Sequence, residues 1–241
     1  MRADQALVAR GLFESRAKAR AAIEAGLVTA NGERVDKPAQ AVAAGAVLVA
    51  RPAHPYVSRG GVKLAAALAR FRFDPRDKIC LDIGASTGGF TDVLLQAGAR
   101  RVYAVDVGTG QLHPTLRRRC EVVSLEKTDA RALDRTSVPD PAEFLTIDVS
   151  FISLKKIMPH LATLAAPGAC LVVLIKPQFE AGRKSVRKGV VRDPVVHRTI
   201  CEELIAFAAN LGWEVLGVME SPVLGGDGNR EFLLGARLPA R

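Results

Sequence analysis

The chain has 241 residues, of which 49% are apolar and 24% are charged. This balance is that of a folded protein of one or two domains and excludes a disordered chain. The longest apolar run, residues 161–175, contains a proline and a glycine and is shorter than the roughly 20 residues of a membrane-spanning helix. The first 20 residues carry scattered charges and no continuous apolar stretch, so we expect no secretory signal, no membrane partner and a cytoplasmic protein.

The net charge of +9 is unevenly distributed along the chain. Residues 1–72 hold 12 Lys and Arg against 5 Asp and Glu, whereas the remaining residues hold 22 against 20. A basic segment joined to a nearly neutral one predicts a polyanion partner, because neutralised phosphates release counterions; the alternative is a solvated basic surface. The four cysteines show no paired spacing and the histidines no cluster, which predicts reduced thiols and no metal site.

The first 50 residues predict two short helices followed by a β-hairpin. Asp4 is placed to cap the first helix, which Gly11 ends. Ser15 is placed to cap the second helix, which ends at Gly26. The pair Asn31-Gly32 lies between two short strand-like runs and is the commonest signal for a two-residue hairpin turn.

The second helix carries basic residues on its solvent side. Arg16 and Arg20 are four residues apart and share a face, Lys18 points elsewhere, and an apolar face is left for packing. The order helix, GL-x-x-SR, helix, G-x-V-x-x-NG resembles the alpha-L RNA-binding module of a ribosomal small-subunit protein, of pseudouridine synthases and of a tyrosyl-tRNA synthetase. The resemblance implies a structured RNA partner for residues 1–50. Residues 51–57 contain two prolines and predict a short, stiff linker.

From residue 79 onward, apolar strands alternate with helical patterns. The alternation predicts an α/β fold, a doubly wound Rossmann-like sheet of seven strands, with ligands bound beyond the carboxyl ends of the strands. No helix separates the last two strands, so we expect the last strand to be antiparallel. The predicted strands are 79–83, 101–105, 120–124, 143–148, 169–175, 213–219 and 231–236, and the predicted helices are 89–97, 112–118, 153–165 and 194–211.

The first of these strands ends in the glycine-rich segment LDIGASTGGF. Gly84, Gly88 and Gly89 allow a ligand to approach the backbone, and the next helix presents its N-terminus there. The spacing G-x-x-x-G-G is not the dinucleotide pattern G-x-G-x-x-G, which argues against a dehydrogenase. Asp82, two residues before the first glycine, would repel a pyrophosphate and suits a cationic ligand.

Acidic residues also follow the second and third strands. Asp106 ends the second strand and is placed to accept hydrogen bonds from ribose hydroxyls, and Asp129 is placed near an adenine amino group. Each acid alone is equally compatible with a helix cap or a solvated strand end, but together they fit S-adenosylmethionine. The predicted cofactor contacts are Asp82, Gly84, Ser86, Thr87, Gly88, Gly89, Phe90, Asp106, Asp129 and Asp148.

Four further titratable residues stand at positions suited to chemistry. Lys63 lies in the first turn of a helix, and Asp148, Lys176 and Glu231 lie at strand ends. Each has a plainer alternative as a surface residue, a helix cap or a lysine that reaches solvent. Lys176 is the hardest to explain in that way, because an apolar run precedes it and Pro177 follows it directly.

Residues 58–241 resemble the FtsJ-type ribose 2′-O-methyltransferases, whose Lys-Asp-Lys-Glu tetrad corresponds to the four residues just named. The segments VSRGGVKL, DIGASTGGFTDVLLQAGA, DVSFISL, LIKPQFEAGR and KGVVRDP, behind an alpha-L module, resemble the TlyA family over the whole chain. The resemblance implies methyl transfer from S-adenosylmethionine to a ribose 2′-hydroxyl of ribosomal RNA, at cytidine, in ribosomal subunits. Some members of that family are also labelled hemolysins.

Methyl transfer to a ribose hydroxyl needs a proton acceptor and an in-line approach. An amine accepts a proton only when it is neutral; burial, Lys63 and a sulfonium favour neutral Lys176, whereas Asp148 and Glu231 favour the charged form. We expect Lys176 to be the base, Asp148 to position it, and Lys63 and Glu231 to orient the ribose. The alternative is a charged Lys176 that orients the hydroxyl and stabilises negative charge.

The segment after Lys176 is strongly basic and predicts contacts with RNA phosphates, although a solvated loop is the alternative. Two other functions stay open: a secreted cytolysin, for which a signal and a bulky amphipathic helix are missing from the sequence, and a non-catalytic RNA-binding assembly factor. The predicted RNA contacts are Arg16, Lys18, Arg20, Arg59, Arg183, Lys184, Arg187 and Lys188.

Overall fold

The computed structural model describes residues 1–182 and 185–240, and these fall into two compact units, Met1–Pro55 and Tyr56–Arg241. In the first unit, two helices and a three-stranded antiparallel sheet enclose a small core that includes Leu7 and Ile23. The sheet has the order β2-β1-β3. The elements are α1 (Ala3–Ala9), α2 (Arg16–Glu24), β1 (Val28–Ala30), β2 (Glu33–Arg34) and β3 (Leu48–Ala50).

Local signals in the first unit are largely confirmed. Ser15 caps α2, where its hydroxyl accepts a hydrogen bond from the backbone N–H of Lys18 at 3.3 Å. Asn31 and Gly32 connect β1 to β2 with φ values of 51° and 85°, as a type I′ hairpin turn requires.

The predicted cap of α1 is wrong. Helix α1 begins at Ala3, and the Asp4 side chain is fully buried between Arg2 and Arg16, at 3.0 and 2.8 Å. These hydrogen bonds, with Arg2 as the larger cause, hold the pKa of the Asp4 carboxyl below its usual range. Asp4 therefore ties the start of α1 to the start of α2, because a buried carboxylate needs charged partners to be stable.

The second unit is a seven-stranded sheet with helices on both faces. Alternate residues of one strand enter two separate cores: Leu81 packs with residues of α6 and α8, and Cys80 packs with residues of α3 and α4. The helices of this unit are α3 (Gly60–Phe71), α4 (Gly89–Gln96), α5 (Pro114–Arg117), α6 (Met158–Ala162), α7 (Pro177–Glu180) and α8 (Pro194–Asn210). Its strands are β4 (Ile79–Ile83), β5 (Arg101–Val105), β6 (Val122–Leu125), β7 (Ala142–Ile147), β8 (Ala165–Ile175), β9 (Glu214–Glu220) and β10 (Phe232–Arg237).

The strand order β6-β5-β4-β7-β8-β10-β9 confirms the predicted fold class. Strands β4 to β8 pair in parallel with one another, and β10 is antiparallel to both β8 and β9. The chain proceeds outward from β4 to β6 and then returns to β7 on the other side of β4. The carboxyl ends of β4 and β7 therefore flank the crevice where a doubly wound sheet binds its ligand.

The predicted helix at 153–165 is only partly present. A 3-10 turn at Leu154–Lys156 and the short α6 replace it, and β8 already starts at Ala165, which pairs with Ala142 of β7. Strand pairing has overridden the helical preference of an alanine-rich stretch. Within the described residues, no helix is long and apolar enough to cross a membrane. The same residues contain no group of three or more His, Cys, Asp or Glu placed to hold a metal ion.

Candidate active site

The turn after β4 brings two strand ends into contact. Gly84 has a φ of 80°, and a Cβ atom there would overlap the carbonyl oxygen of Asp148, which follows β7. The backbone N–H of Asp148 donates to the carbonyl of Ile83 at 2.8 Å. Only glycine meets both the conformational and the steric requirement here, so the glycine loop and Asp148 lie side by side.

Two cavities open at this edge of the sheet, and Gly84, Ser86 and Asp148 line both of them. The smaller, of about 240 Å³, lies between the start of α3, the glycine loop and the turn before β10. The larger, of about 510 Å³, lies beyond the ends of β5, β7 and β8. The larger volume falls in the range of roughly 300–1,000 Å³ typical of small-molecule sites.

Most predicted residues of the glycine loop face the smaller cavity. Its lining includes Gly84, Ser86, Thr87, Gly89 and Phe90. Gly88 directly precedes α4 and does not line this cavity. Its φ is 92°, and a Cβ atom there would overlap the side chains of Leu112 and Leu116. Gly88 thus allows α5 to pack on the loop.

Two of the predicted acids line the larger cavity. Asp106 accepts hydrogen bonds from the backbone N–H groups of Ser86 at 2.8 Å and Gly108 at 2.7 Å. Asp129 caps a 3-10 turn through the N–H of Arg131 and pairs with its guanidinium at 2.5 Å, and these bonds lower the pKa of Asp129 to about 2. Each carboxylate oxygen has two lone pairs, so Asp106 keeps acceptor capacity on both oxygens, whereas each oxygen of Asp129 already accepts two hydrogen bonds from Arg131.

Asp82 differs from the prediction of a carboxylate open to the ligand. It is fully buried, and its two oxygens accept hydrogen bonds from the hydroxyls of Thr91 at 2.6 Å and Thr146 at 2.8 Å. Burial raises the pKa of Asp82 to about 6. Because Thr91 lies in α4 and Thr146 in β7, Asp82 fixes the elements that carry the glycine loop.

The four predicted reactive residues form two ion pairs. The Lys176 ammonium lies 2.6 Å from Oδ1 of Asp148 and 2.9 Å from the hydroxyl of Ser150. The Lys63 ammonium lies 2.5 Å from Oε2 of Glu231, and both residues are buried. Lys176 lines the larger cavity and Lys63 the smaller, while Asp148 lines both. Lys176 directly follows β8 at the crevice, and Pro177 begins α7 after it.

The predicted RNA contacts of the first unit all have acidic partners. Arg16 holds buried Asp4, Lys18 pairs with Glu14 at 2.6 Å, and Arg20 lies 3.8 Å from Glu24. Arg16 is thus part of the packing of this unit, although about half of its side chain is exposed.

The predicted RNA contacts of the second unit occupy different places. Arg59 precedes α3 and lines the smaller cavity. Arg187 and Lys188 are exposed on a tight turn, and Arg183 and Lys184 lie outside the described residues.

Several residues of the site were not singled out from the sequence. Ser150 is bonded to Lys176, and Phe151 beside it is 91% exposed with a φ of 65°. The Phe151 ring lies 4.9 Å from the ring of Phe179. An exposed aromatic residue in left-handed backbone is unusual and marks functional sites, but only the adjacency to Asp148 in DVSF hinted at it.

The sheet order, with its antiparallel β10, and the glycine loop beside two acid-lined cavities define the class of Rossmann-like methyltransferases. The FtsJ-like methyltransferase family matches residues 56–238, and the S4 domain family matches residues 1–48. The chain belongs to the FtsJ-like methyltransferase family and carries an S4 domain in front of it.

Relatives resemble this chain over almost its whole length. The 16S/23S rRNA (cytidine-2'-O)-methyltransferase TlyA of Mycobacterium tuberculosis (strain ATCC 25618 / H37Rv) is 43% identical over 239 residues, 98% of this chain and 89% of that protein. Hemolysin A of Brachyspira hyodysenteriae is 40% identical over 235 residues, 97% of this chain and 98% of that protein. Hemolysin is therefore a second name used among these relatives.

Solved structures agree with this assignment. A hemolysin-named protein from Streptococcus thermophilus is 46% identical, with a TM-score of 0.79 over 99% of this chain and 88% of that one. The N-methyltransferase NodS from Bradyrhizobium japonicum WM9, in complex with S-adenosyl-L-homocysteine, is 16% identical with a TM-score of 0.53, over 75% of this chain and 86% of that one. The second likeness concerns the fold alone.

Proposed function

We propose that this protein transfers a methyl group from S-adenosylmethionine to the 2′-hydroxyl of a cytidine ribose in ribosomal RNA. The observation that carries the proposal is the Lys176–Asp148 ion pair, 2.6 Å long, at the boundary of the two cavities. This pair provides an amine beside a carboxylate where a ligand crevice opens. Relatives of 37–43% identity that are named rRNA (cytidine-2'-O)-methyltransferases support the same substrate class.

The residues around the cavities fit the cofactor. Asp106 and Asp148 supply acceptors for ribose hydroxyls and a cationic centre, and Asp129 would accept an adenine amino group in exchange for one of its bonds to the exposed Arg131. The backbone of the glycine loop, with Ser86 and Thr87, would hold the amino-acid end. When bound, S-adenosylmethionine supplies an electrophilic methyl group on a sulfonium.

In the proposed mechanism the neutral amine of Lys176 takes the proton from the attacking ribose hydroxyl and becomes the ammonium that pairs with Asp148. Its nitrogen is held between the Asp148 carboxylate and the Ser150 hydroxyl, so its position is fixed before the substrate arrives. Lys63 and Glu231 are buried as a pair beside the smaller cavity and orient the ribose. The exposed ring of Phe151 offers a stacking surface to the target base.

The two units divide the work in this proposal. Residues 1–50 bind structured RNA, residues 51–57 form a linker, and residues 58–241 carry out the transfer. Arg187 and Lys188 contact phosphates near the target nucleotide. The substrate is RNA within a ribosomal subunit, which implies a cytoplasmic enzyme, and the mechanism requires no metal ion.

Transfer of labelled methyl groups from S-adenosylmethionine to purified small and large ribosomal subunits tests the proposal. We expect label in ribosomal RNA, mapping to cytidine 2′-hydroxyls, and a loss of label with Lys176→Ala. Failure to label either subunit would overturn the proposal. Tight RNA binding without transfer would instead indicate a non-catalytic assembly factor.

A further inference from the structure

Asn229 is a buried polar residue in the turn that precedes β10, with 2% of its surface exposed. Its side-chain amide donates to the carbonyl of Gly189 at 3.0 Å and accepts from the backbone N–H of Val191 at 3.3 Å. A carbonyl only accepts and an N–H only donates, so these partners fix the orientation of the amide. Asn229 thus joins segment 189–191 to the turn that leads into β10.

The segment that Asn229 holds is the stem of a basic turn. Arg187 and Val190 exchange two backbone hydrogen bonds of 3.0 Å, and between them Lys188 and Gly189 have φ values of 51° and 77°. This is the geometry of a tight two-residue hairpin turn. Arg187 and Lys188 are therefore presented to solvent on a stiff turn whose stem is bonded to Asn229.

A second buried side chain fixes the same stem. Nε2 of His197, in α8, lies 3.0 Å from the carbonyl oxygen of Val191, and this nitrogen donates because a carbonyl only accepts. The His197 ring also lies 5.5 Å from the ring of Phe232, the first residue of β10. Both backbone polar groups of Val191 are thus bound by buried side chains, one from Asn229 and one from His197.

The backbone carbonyl of Asn229 helps to position Glu231. The N–H of Gly225 donates to the carbonyl of Asn229 at 2.9 Å and closes the turn. A Cβ atom at Gly225 would overlap Oε1 of Glu231, so the closed turn packs directly on that carboxylate. Glu231 in turn pairs with Lys63. Glu231 follows Asn229 by two positions in the chain, so a shift of one moves the other.

We propose that Asn229 is a positioning residue that couples RNA contact at Arg187 and Lys188 to the placement of Glu231 against Lys63. The proposal rests on the proposed function, because it assigns Arg187 and Lys188 to phosphate contact and Glu231 to the ribose. It adds that the enzyme reaches its full rate only when the basic turn is seated on RNA.

Single-turnover methylation of purified ribosomal subunits, at saturating subunit and cofactor, tests the coupling. We expect Asn229→Ala to lower the rate constant about ten-fold, as loss of a buried hydrogen-bonded amide implies, with an unchanged cofactor Kd. His197→Phe, which keeps a ring against Phe232, should also lower the rate constant, but by a smaller factor. Asn210→Ala, at the exposed end of α8, is the matched control and should leave the rate unchanged.

A double-mutant cycle separates coupling from simple damage. In the Asn229→Ala protein, adding Arg187→Ala and Lys188→Ala should cause little further loss of rate at saturating RNA, because the connection is already broken. If the added substitutions lower the rate constant of the Asn229→Ala protein by the same factor as they lower that of the wild-type protein, the proposal is overturned.

Amide hydrogen exchange gives a readout that does not depend on methyl transfer. Deproteinised ribosomal RNA should slow exchange in residues 221–231 of the wild-type protein and have no such effect in Asn229→Ala. The same response in both proteins would overturn the coupling even if the enzyme is active. A coupled response in a wild-type protein that transfers no methyl would leave the coupling standing and overturn the proposed function.

Discussion

Lys176 is held by acceptors on neighbouring elements, and this geometry determines what its substitution should do. The ammonium donates a hydrogen bond to the Ser150 hydroxyl at 2.9 Å and lies 2.6 Å from Oδ1 of Asp148 as an ion pair, and Lys176 also lines the larger cavity. We expect Lys176→Met to slow single-turnover transfer by roughly 10²–10⁴-fold, the usual worth of a positioned acid or base. The cofactor Kd, measured by calorimetry, should change little.

One further variant of Lys176 decides between the two roles of the lysine. Lys176→Arg keeps a permanent positive charge but cannot give up a proton, so a base role predicts that it is as slow as Lys176→Met. Wild-type transfer by Lys176→Arg would show that a fixed charge suffices. Ser150→Ala removes one of the two acceptors and should cost the rate about ten-fold or less.

Asp82 should make the stability of the second unit depend on pH. Burial raises its pKa from 3.8 to about 6, so the folded protein holds this proton more tightly than the unfolded chain. Its contribution is fully present below about pH 4 and is lost as the pH rises through 6, a change on the order of 3 kcal/mol. Asp82→Asn cannot ionise, so its stability relative to wild type should increase over this interval.

Urea unfolding at pH 4 and pH 7 measures this effect, with fluorescence of Trp213, the single tryptophan, as the probe. Trp213 is buried in the second unit and reports on its unfolding. Asp74→Asn is the matched control, because Asp74 is exposed. The free energy of unfolding of this variant should differ little from that of the wild-type protein at either pH. A difference between Asp82→Asn and wild type that is the same at both pH values would contradict the assignment.

Residue positions along the chain were predicted better than residue partners. The sequence places Lys176, Asp148 and Glu231 at strand ends, and the structure pairs Lys176 with Asp148 across two strands. The sequence alone cannot reveal that Asp82 accepts hydrogen bonds from hydroxyls of α4 and β7, or that Asp4 lies between two arginines. Such partners are set by packing between elements that are distant in sequence. The sequence pattern around an acid at a strand end is therefore the same whether the acid faces the ligand or the core.

At the scale of elements, the alternation of strands and helices was enough to predict the sheet, and β4 and β5 have the predicted bounds. The starting residue of β8 was not predictable. Its first residues, Ala165–Gly168, have helical or turn-forming character, and they become strand because Ala165 pairs with β7 and Gly168 donates to Pro239. Tertiary pairing decides such short segments.

The turn before β10 provides a test at this scale with a built-in control. Gly225→Ala would place a Cβ atom against the Glu231 carboxylate, so the turn or the carboxylate must shift, which disturbs the Lys63–Glu231 pair. We expect a rate loss of about ten-fold or more at saturating substrate, with the fold retained. Gly226→Ala, one residue later, meets no atom within 4 Å and should behave as wild type. Equal activity of the two variants would contradict the assigned contact.

At the scale of the whole molecule, the excess of positive charge in residues 1–72 should govern affinity for RNA and its salt dependence, whereas the cavities of the second unit govern the chemistry. Substituting Lys18 and Arg20 by glutamine removes the cations that pair with Glu14 and Glu24, so repulsion of phosphates adds to the weaker attraction. We expect weaker binding to ribosomal RNA, with the slope of log Kd against log salt reduced by about 0.7–0.9 for each phosphate that is no longer neutralised.

The rate of transfer at saturating RNA should stay the same in this Lys18→Gln, Arg20→Gln protein, because neither residue lines the cavities. Arg76→Gln removes an exposed arginine just before β4, at the end of that strand away from the glycine loop, and is the matched control. Arg76→Gln removes one positive charge and the paired substitution removes two, so a change of the salt slope half as large with Arg76→Gln would show that affinity follows net charge alone. A change well below half assigns the RNA contact to α2, and with it the docking of the substrate to the S4 domain.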